Sequence, residues 1–278
     1  MLRFAVTTLS AAAMAIALAP AAASASTPIN SFPDYAYPDG AGHSEFTEDA
    51  NGLSAKGYGT GTPVDFMFGA GPAGSPKGDG SLTVKVTDAD SKIIIGPGQV
   101  GNNDVSIGDL TTLSYATHSA NANHASFYLN MYLDTNSDSV WDTELRTAPI
   151  HTSANQWITW DALDRDWSVG QAKSGSTYTA GDVGKIGVDF TDGILLNDWD
   201  NNDYPPIAFS MGDTSGGYVG HEVSIDGFNI AWGGDNAGDL NYTFVTPTPV
   251  AGVLGLAAFG MLGMRRGRRD HSLAAVEA

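Results

Sequence analysis

The chain has 278 residues, with 31 acidic against 13 basic side chains, a formal charge of −18, 34 glycines and no cysteine. Without cysteine a disulfide scaffold and a tetrathiolate zinc site are excluded, and so acidic a chain is a poor partner for nucleic acid. A hydrophobic fraction of 42% still supplies enough apolar side chain for a sizeable core.

The first element reads as an address. Arg3 gives a positive start, Phe4 to Ala22 is a run of apolar and small residues, and Ala23-Ser24-Ala25 fits a small-residue cleavage site. Residues 1–25 are therefore expected to be a signal peptide removed by signal peptidase on export. The alternative, a buried helix, suits the run less well, because it has no polar face and Pro20 interrupts it.

Period-two patterns follow. Leu82, Val84 and Val86 alternate with polar residues, and Phe127, Leu129, Met131 and Leu133 form the longest such run. Ile186, Val188 and Phe190 make a third, and Ile207, Phe209 and Met211 a fourth. Val223 and Ile225 hold one phase until Asp226-Gly227, after which Phe228, Ile230 and Trp232 hold the other; a glycine at a phase change predicts a bulge. Leu240, Tyr242 and Phe244 close the series. Between the runs lie turn clusters at Gly69 to Gly80, Gly96 to Asn103 and Asp213 to Gly217, and no window outside the two terminal segments has a sustained helical period. The expected fold is all-β: a single antiparallel β-sandwich over 26–245, jelly-roll-like in its connections.

The sharpest chemical signal is Asp134-Thr135-Asn136-Ser137-Asp138-Ser139-Val140-Trp141-Asp142. Oxygen ligands at alternate positions can converge on one ion. Asp134, Asn136, Asp138 and Asp142 with the Val140 carbonyl come close to the six to eight oxygens that calcium takes. The spacing resembles the calcium loops of dockerins, thrombospondin type-3 repeats and EF-hands, with Ser139 at the usual glycine position and Leu145 at the twelfth. That resemblance implies a structural calcium. The competing reading is a polar hairpin turn whose side chains cap their own backbone.

Downstream, Gln156 to Leu163 places Trp157 and Trp160 on opposite faces of any one strand, with Asp161 beside them and Trp167 following. An exposed indole beside a carboxylate can stack on a sugar ring and bond its hydroxyls, so Trp157, Trp160, Asp161 and Trp167 are candidate ligand residues, against a purely structural role in the core. The segment also resembles one in secreted bacterial sandwich domains. Asp198, Asp200 and Asp203 offer a second cation site or a solvated loop, while His43, His118, His124, His151 and His221 have no metal spacing. No nucleophile elbow, HExxH or phosphate loop is present. A glycoside hydrolase using two carboxylates, with Asp161, Asp164 and Asp166 as candidates, stands as the alternative to a non-enzyme.

The chain closes on Pro247-Thr248-Pro249, an apolar run from Val250 to Met264, then Arg265, Arg266, Arg268 and Arg269. A helix of that length rises roughly 22 Å, less than the about 30 Å of a bilayer core. Proline pair, short apolar helix and arginine cluster resemble the PEP-CTERM sorting signal of bacteria, with Thr248 where that signal usually has Glu. The resemblance implies that residues 246–278 are read by an exosortase-type sorting peptidase after transient membrane insertion; an ordinary tail anchor is the other reading. Setting both ends aside leaves 8 basic and 29 acidic residues, a surface suited to divalent cations. The expected protein is exported, envelope-associated or extracellular and calcium-stabilised, with an adhesive, matrix or polysaccharide-binding role.

Overall fold

The computed structural model describes residues 26–29, 31, 53–59, 64–78, 80–97, 100, 104–122, 124–148, 153–195, 205–213 and 217–246. The expected signal peptide, the C-terminal sorting segment, Asp198, Asp200, Asp203, His43 and His151 lie outside them. The described residues form strands β1 (Thr27–Ile29), β2 (Leu53–Tyr58), β3 (Asp65–Gly69), β4 (Ser81–Lys85), β5 (Ser91–Pro97), β6 (Leu110–Ser119), β7 (Tyr128–Asp134) and β8 (Thr143–Thr147). They continue with β9 (Gln156–Asp161), β10 (Trp167–Ala172), β11 (Val183–Gly184), β12 (Ile194–Leu195), β13 (Ile207–Asp213), β14 (Glu222–Trp232) and β15 (Gly238–Phe244). Among the described residues the one helical piece is a 3-10 turn, Ile107–Asp109, whose Gly108 N–H donates to the Ser106 hydroxyl.

Two sheets result. The eight-stranded one runs β11-β10-β8-β7-β13-β5-β2, with β12 continuing beside β7. In the seven-stranded one β14 is the spine. β6 follows one of its edges from Ser224 to Trp232, and the other edge is shared by β4, opposite Glu222 to Ile225, and β15, opposite Phe228 to Trp232. The expected bulge is present: the register with β6 shifts between Asp226 and Phe228, and Gly227 has φ of +50°. A side chain at 227 would also collide with the Lys77 stem, at 2.8 Å.

The sheets share one core. Phe209 of the eight-stranded sheet meets Tyr115 at 5.3 Å and Phe228 at 4.5 Å, both on the seven-stranded sheet, and Phe228 packs on Tyr242. The Tyr115 hydroxyl donates to the Phe127 carbonyl, and burial pushes its pKa up. On the outer face of the seven-stranded sheet, buried Asp226 holds the segment around Ser75 by accepting from the Ser75 hydroxyl and the Lys77 N–H, with Thr243 on its other oxygen.

One expected strand is absent. Ile186 to Phe190 is a tight turn in which the N–H groups of Val188, Asp189 and Phe190 all reach the Lys185 carbonyl, with Gly187 at φ +75°. Reversal brings Ile186 and Phe190 inward and leaves Val188 73% exposed, so the alternation was that of a turn with two apolar feet. Replacing Phe209 by Ala should cost about 3–5 kcal/mol through loss of the ring that joins the sheets. Val188→Ala should stay within about 0.5 kcal/mol, since it touches no core. Urea midpoints for the two variants check the contrast.

Candidate functional site

The acidic segment is the tip of the β7–β8 hairpin. Asp134 ends β7, and its carboxylate collects backbone donors as the chain curls round it: Oδ1 accepts from the N–H groups of Asn136 (3.1 Å), Ser137 (2.6 Å) and Asp138 (3.3 Å), and Oδ2 from Ser139 (2.8 Å). The Asn136 Oδ1 accepts from the Asp138 N–H, and the Asp138 Oδ1 from the Val140 N–H. Such winding needs left-handed backbone, found at Ser137 (φ 65°) and Ser139 (φ 66°), a conformation that costs a non-glycine residue roughly 1–2 kcal/mol. Ser139 thus adopts the backbone that glycine supplies at the corresponding place in calcium loops.

Asp142 closes the loop from the far side. Its Oδ2 accepts from the Thr135 N–H at 3.0 Å, and its Oδ1 from the hydroxyls of Thr135 (2.8 Å) and Thr143 (2.6 Å). Among the described residues no three His, Asp or Glu side chains are grouped as a metal cluster. The carboxylates face the loop's own N–H groups, as the polar-turn reading expects. The oxygens of Asp134, Asn136, Asp138, the Val140 carbonyl and Asp142 are of the kind calcium takes, but Asp134 Oδ1 already accepts three N–H groups.

The aromatic candidates divide between two sheets and two faces. Trp157 lies on the outer face of the seven-stranded sheet, half-buried beside His118 at 5.5 Å, with its Nε1 donating to the Pro72 carbonyl. Trp160 packs against the core, its Nε1 donating to the Thr117 hydroxyl at 2.7 Å and the Arg165 guanidinium over its ring. Trp167, on the eight-stranded sheet, is fully buried and donates to the Ala162 carbonyl. Asp161 is exposed and accepts from the Leu163 N–H. Trp167 therefore has no surface for a ligand, and of the three indoles only Trp157 lies on an outer face.

A polar cluster that the sequence reading did not single out occupies the outer face of the eight-stranded sheet. Leu129, Met131 and Leu133 enter the core, so Asn130 and Tyr132 point the other way, as do Glu144 and Arg146 on either side of core residue Leu145. Arg146 grips Glu144 with two bonds, Nε to Oε1 at 2.9 Å and Nη2 to Oε2 at 2.8 Å, and the Asn130 Nδ2 donates to the same Oε1. These bonds hold the Arg146 pKa up. Trp141 follows the acidic loop, its ring edge-on to Tyr132 at 5.3 Å and under the Lys173 ammonium at 3.1 Å. Burial pulls the Lys173 pKa down, against an upward pull from Asp142. Asn130 Oδ1, Trp141 Nε1 and Ser210 Oγ are three of the eight buried side-chain atoms that have no hydrogen-bond partner among the described residues. Each costs about 1–3 kcal/mol if left dry. The only trace of this cluster in the sequence was the polar phase of β7 and the Glu-Leu-Arg alternation of β8.

The chain matches no family model, and comparison with curated proteins and with solved structures finds no match.

Burial beside Trp157 lowers the His118 pKa from its ordinary 6.5. The fold therefore favours the neutral ring, and that contribution is present above pH about 6.5 and lost as pH falls through the lower folded value. His118→Phe should have a flatter stability profile between pH 7 and pH 5 than the parent. Thermal melts across that range would show it, and parallel profiles would contradict it.

Proposed function

We propose that the chain is an exported, non-catalytic β-sandwich, jelly-roll-like, stabilised by calcium and acting in adhesion, extracellular matrix or carbohydrate binding. The observation that carries the calcium half is the curl of residues 134–142: four N–H groups drawn to one carboxylate, with left-handed backbone at Ser139 where calcium loops have glycine. A cation held by Asp134, Asn136, Asp138, the Val140 carbonyl and Asp142 would neutralise carboxylates that otherwise repel one another on a chain of net charge −18.

The binding half rests on the outer face of the seven-stranded sheet, where the half-buried Trp157 lies beside His118. The ends of the sequence support export: a signal-peptidase site after Ala25, and a C-terminal segment with the features that an exosortase-type peptidase reads.

Calcium at 100 times its dissociation constant should stabilise the fold by about 2.7 kcal/mol, a rise in Tm of roughly 5–10 °C for a domain of this size. Asp138→Ala should abolish most of that rise. Asp235→Ala, an exposed acid elsewhere, should leave it intact. Melts with calcium and with chelator at fixed ionic strength separate site binding from general screening. An equal calcium response in Asp138→Ala would leave the loop a polar turn.

A further inference from the structure

At one end of the sandwich two connections carry the chain between the sheets. β6, in the seven-stranded sheet, leads to β7 in the eight-stranded one, and β13 leads back to β14. Because β6 pairs with β14 and β7 with β13, the two connections cross side by side. His124 stands on the first and His221 on the second, and their rings stack at 4.8 Å with 18° between their planes. We propose that this pair is an acid-sensitive clasp: it is closed while both imidazoles are neutral, and their protonation loosens one connection from the other.

The backbone around each ring decides what a proton does. The Ala125 N–H donates to His221 Nδ1 at 3.0 Å, so that nitrogen holds a lone pair and no hydrogen. A proton added there would point at the Ala125 N–H, and the bond between the connections would be lost. His124 is more adaptable. Its Nδ1 lies 3.1 Å from the Ser119 hydroxyl, from the Glu222 N–H and from the Glu222 carbonyl. The neutral ring accepts from the N–H, and a protonated ring donates to the carbonyl. One proton on His124 is therefore tolerated, whereas a second on His221 removes a hydrogen bond and puts two positive rings face to face at 4.8 Å.

Both histidines are half-buried, so solvent protons reach them. The elements packed on the pair carry few other charges. Glu222, exposed at the start of β14, lies opposite Lys85 of β4. Asp88 follows Val86, which bonds through its N–H to the His221 carbonyl and through its C=O to the Gly220 N–H. Tyr218 sets its ring 5.7 Å from His221 and its hydroxyl on the Ser126 carbonyl, and His118 precedes Ser119 on β6. The two carboxylates attract the added protons and Lys85 opposes them. The Val86 bonds are backbone bonds that acid leaves alone, so opening stays local to Asn121 to Ala125.

The test is amide exchange in the full chain between pH 7.5 and pH 5 at fixed ionic strength, each rate divided by the intrinsic rate at that pH, alongside the nitrogen shifts of the histidine rings. Protection at Ala125 should fall at least about tenfold as the His221 ring gains its proton, while Leu113 to Tyr115 of β6 and Ile225 to Phe228 of β14 stay protected. His221→Asn offers Ala125 an oxygen that takes no proton in this range, and should keep Ala125 protected down to pH 5. His124→Asn removes one of the two charges and should move the loss of protection to lower pH. Rings that stay neutral to pH 5, or Ala125 protection unchanged once both have protonated, would overturn the clasp. So would a fall shared with the β6 and β14 amides, which marks global unfolding, or the same fall in His221→Asn.

Discussion

The Asp134 carboxylate sets how the chain leaves β7 and returns as β8. Backbone donors have to turn inward on a short loop, and four of them find the two oxygens of one side chain. Asp142 completes the closure by tying Thr135 to Thr143. From that closure follows the pairing of Asn130 with Arg146 and Tyr132 with Glu144, at the middle of the eight-stranded sheet. A one-residue slip would turn Leu145 outward and Glu144 into the core.

β7 is buried on both faces, and the two faces solve different problems. Inward, Leu129, Met131 and Leu133 join the aromatic contacts that run through Phe209 to Tyr115 and Phe228. Outward, Asn130 is buried among polar groups, where each unmatched atom is costly. The Arg146–Glu144 fork meets most of that demand, and Trp141 carries the influence of the acidic loop directly onto this face through its contact with Tyr132. Loop and face are thus neighbours in the chain as well as in space. A cation that stiffened the loop would also fix the position of the Trp141 ring.

Strands with one core face were legible from alternation, as in β4, β13 and β15, and so was the bulge at Gly227, where two phases meet across one glycine. β5 escaped because Ile93, Ile94 and Ile95 are all buried, leaving no polar phase to mark a strand. Ile186 to Phe190 misled for the opposite reason, since a reversal can put residues i and i+4 inside as readily as a strand can. The acidic loop was legible as oxygen spacing, although the inward turn of its N–H groups was not. The aromatic candidates were separated by tertiary structure: Trp157 and Trp160 by strand alternation, as expected, and Trp167 by crossing to the other sheet and into its core. The polar face around Glu144 depends on register between strands, which no local pattern encodes.

The most direct test is amide hydrogen exchange across the β7–β8 hairpin in the parent and in Asp134→Ala, with calcium present. If the Asp134 carboxylate organises the hairpin, the amides of Asn136, Ser137, Asp138 and Ser139 should be protected in the parent and exchange freely in the variant. Protection should also fall at Asn130 to Leu133 and Thr143 to Arg146, where register depends on the loop. Unchanged protection at Ser137 and Ser139 in Asp134→Ala would contradict the account.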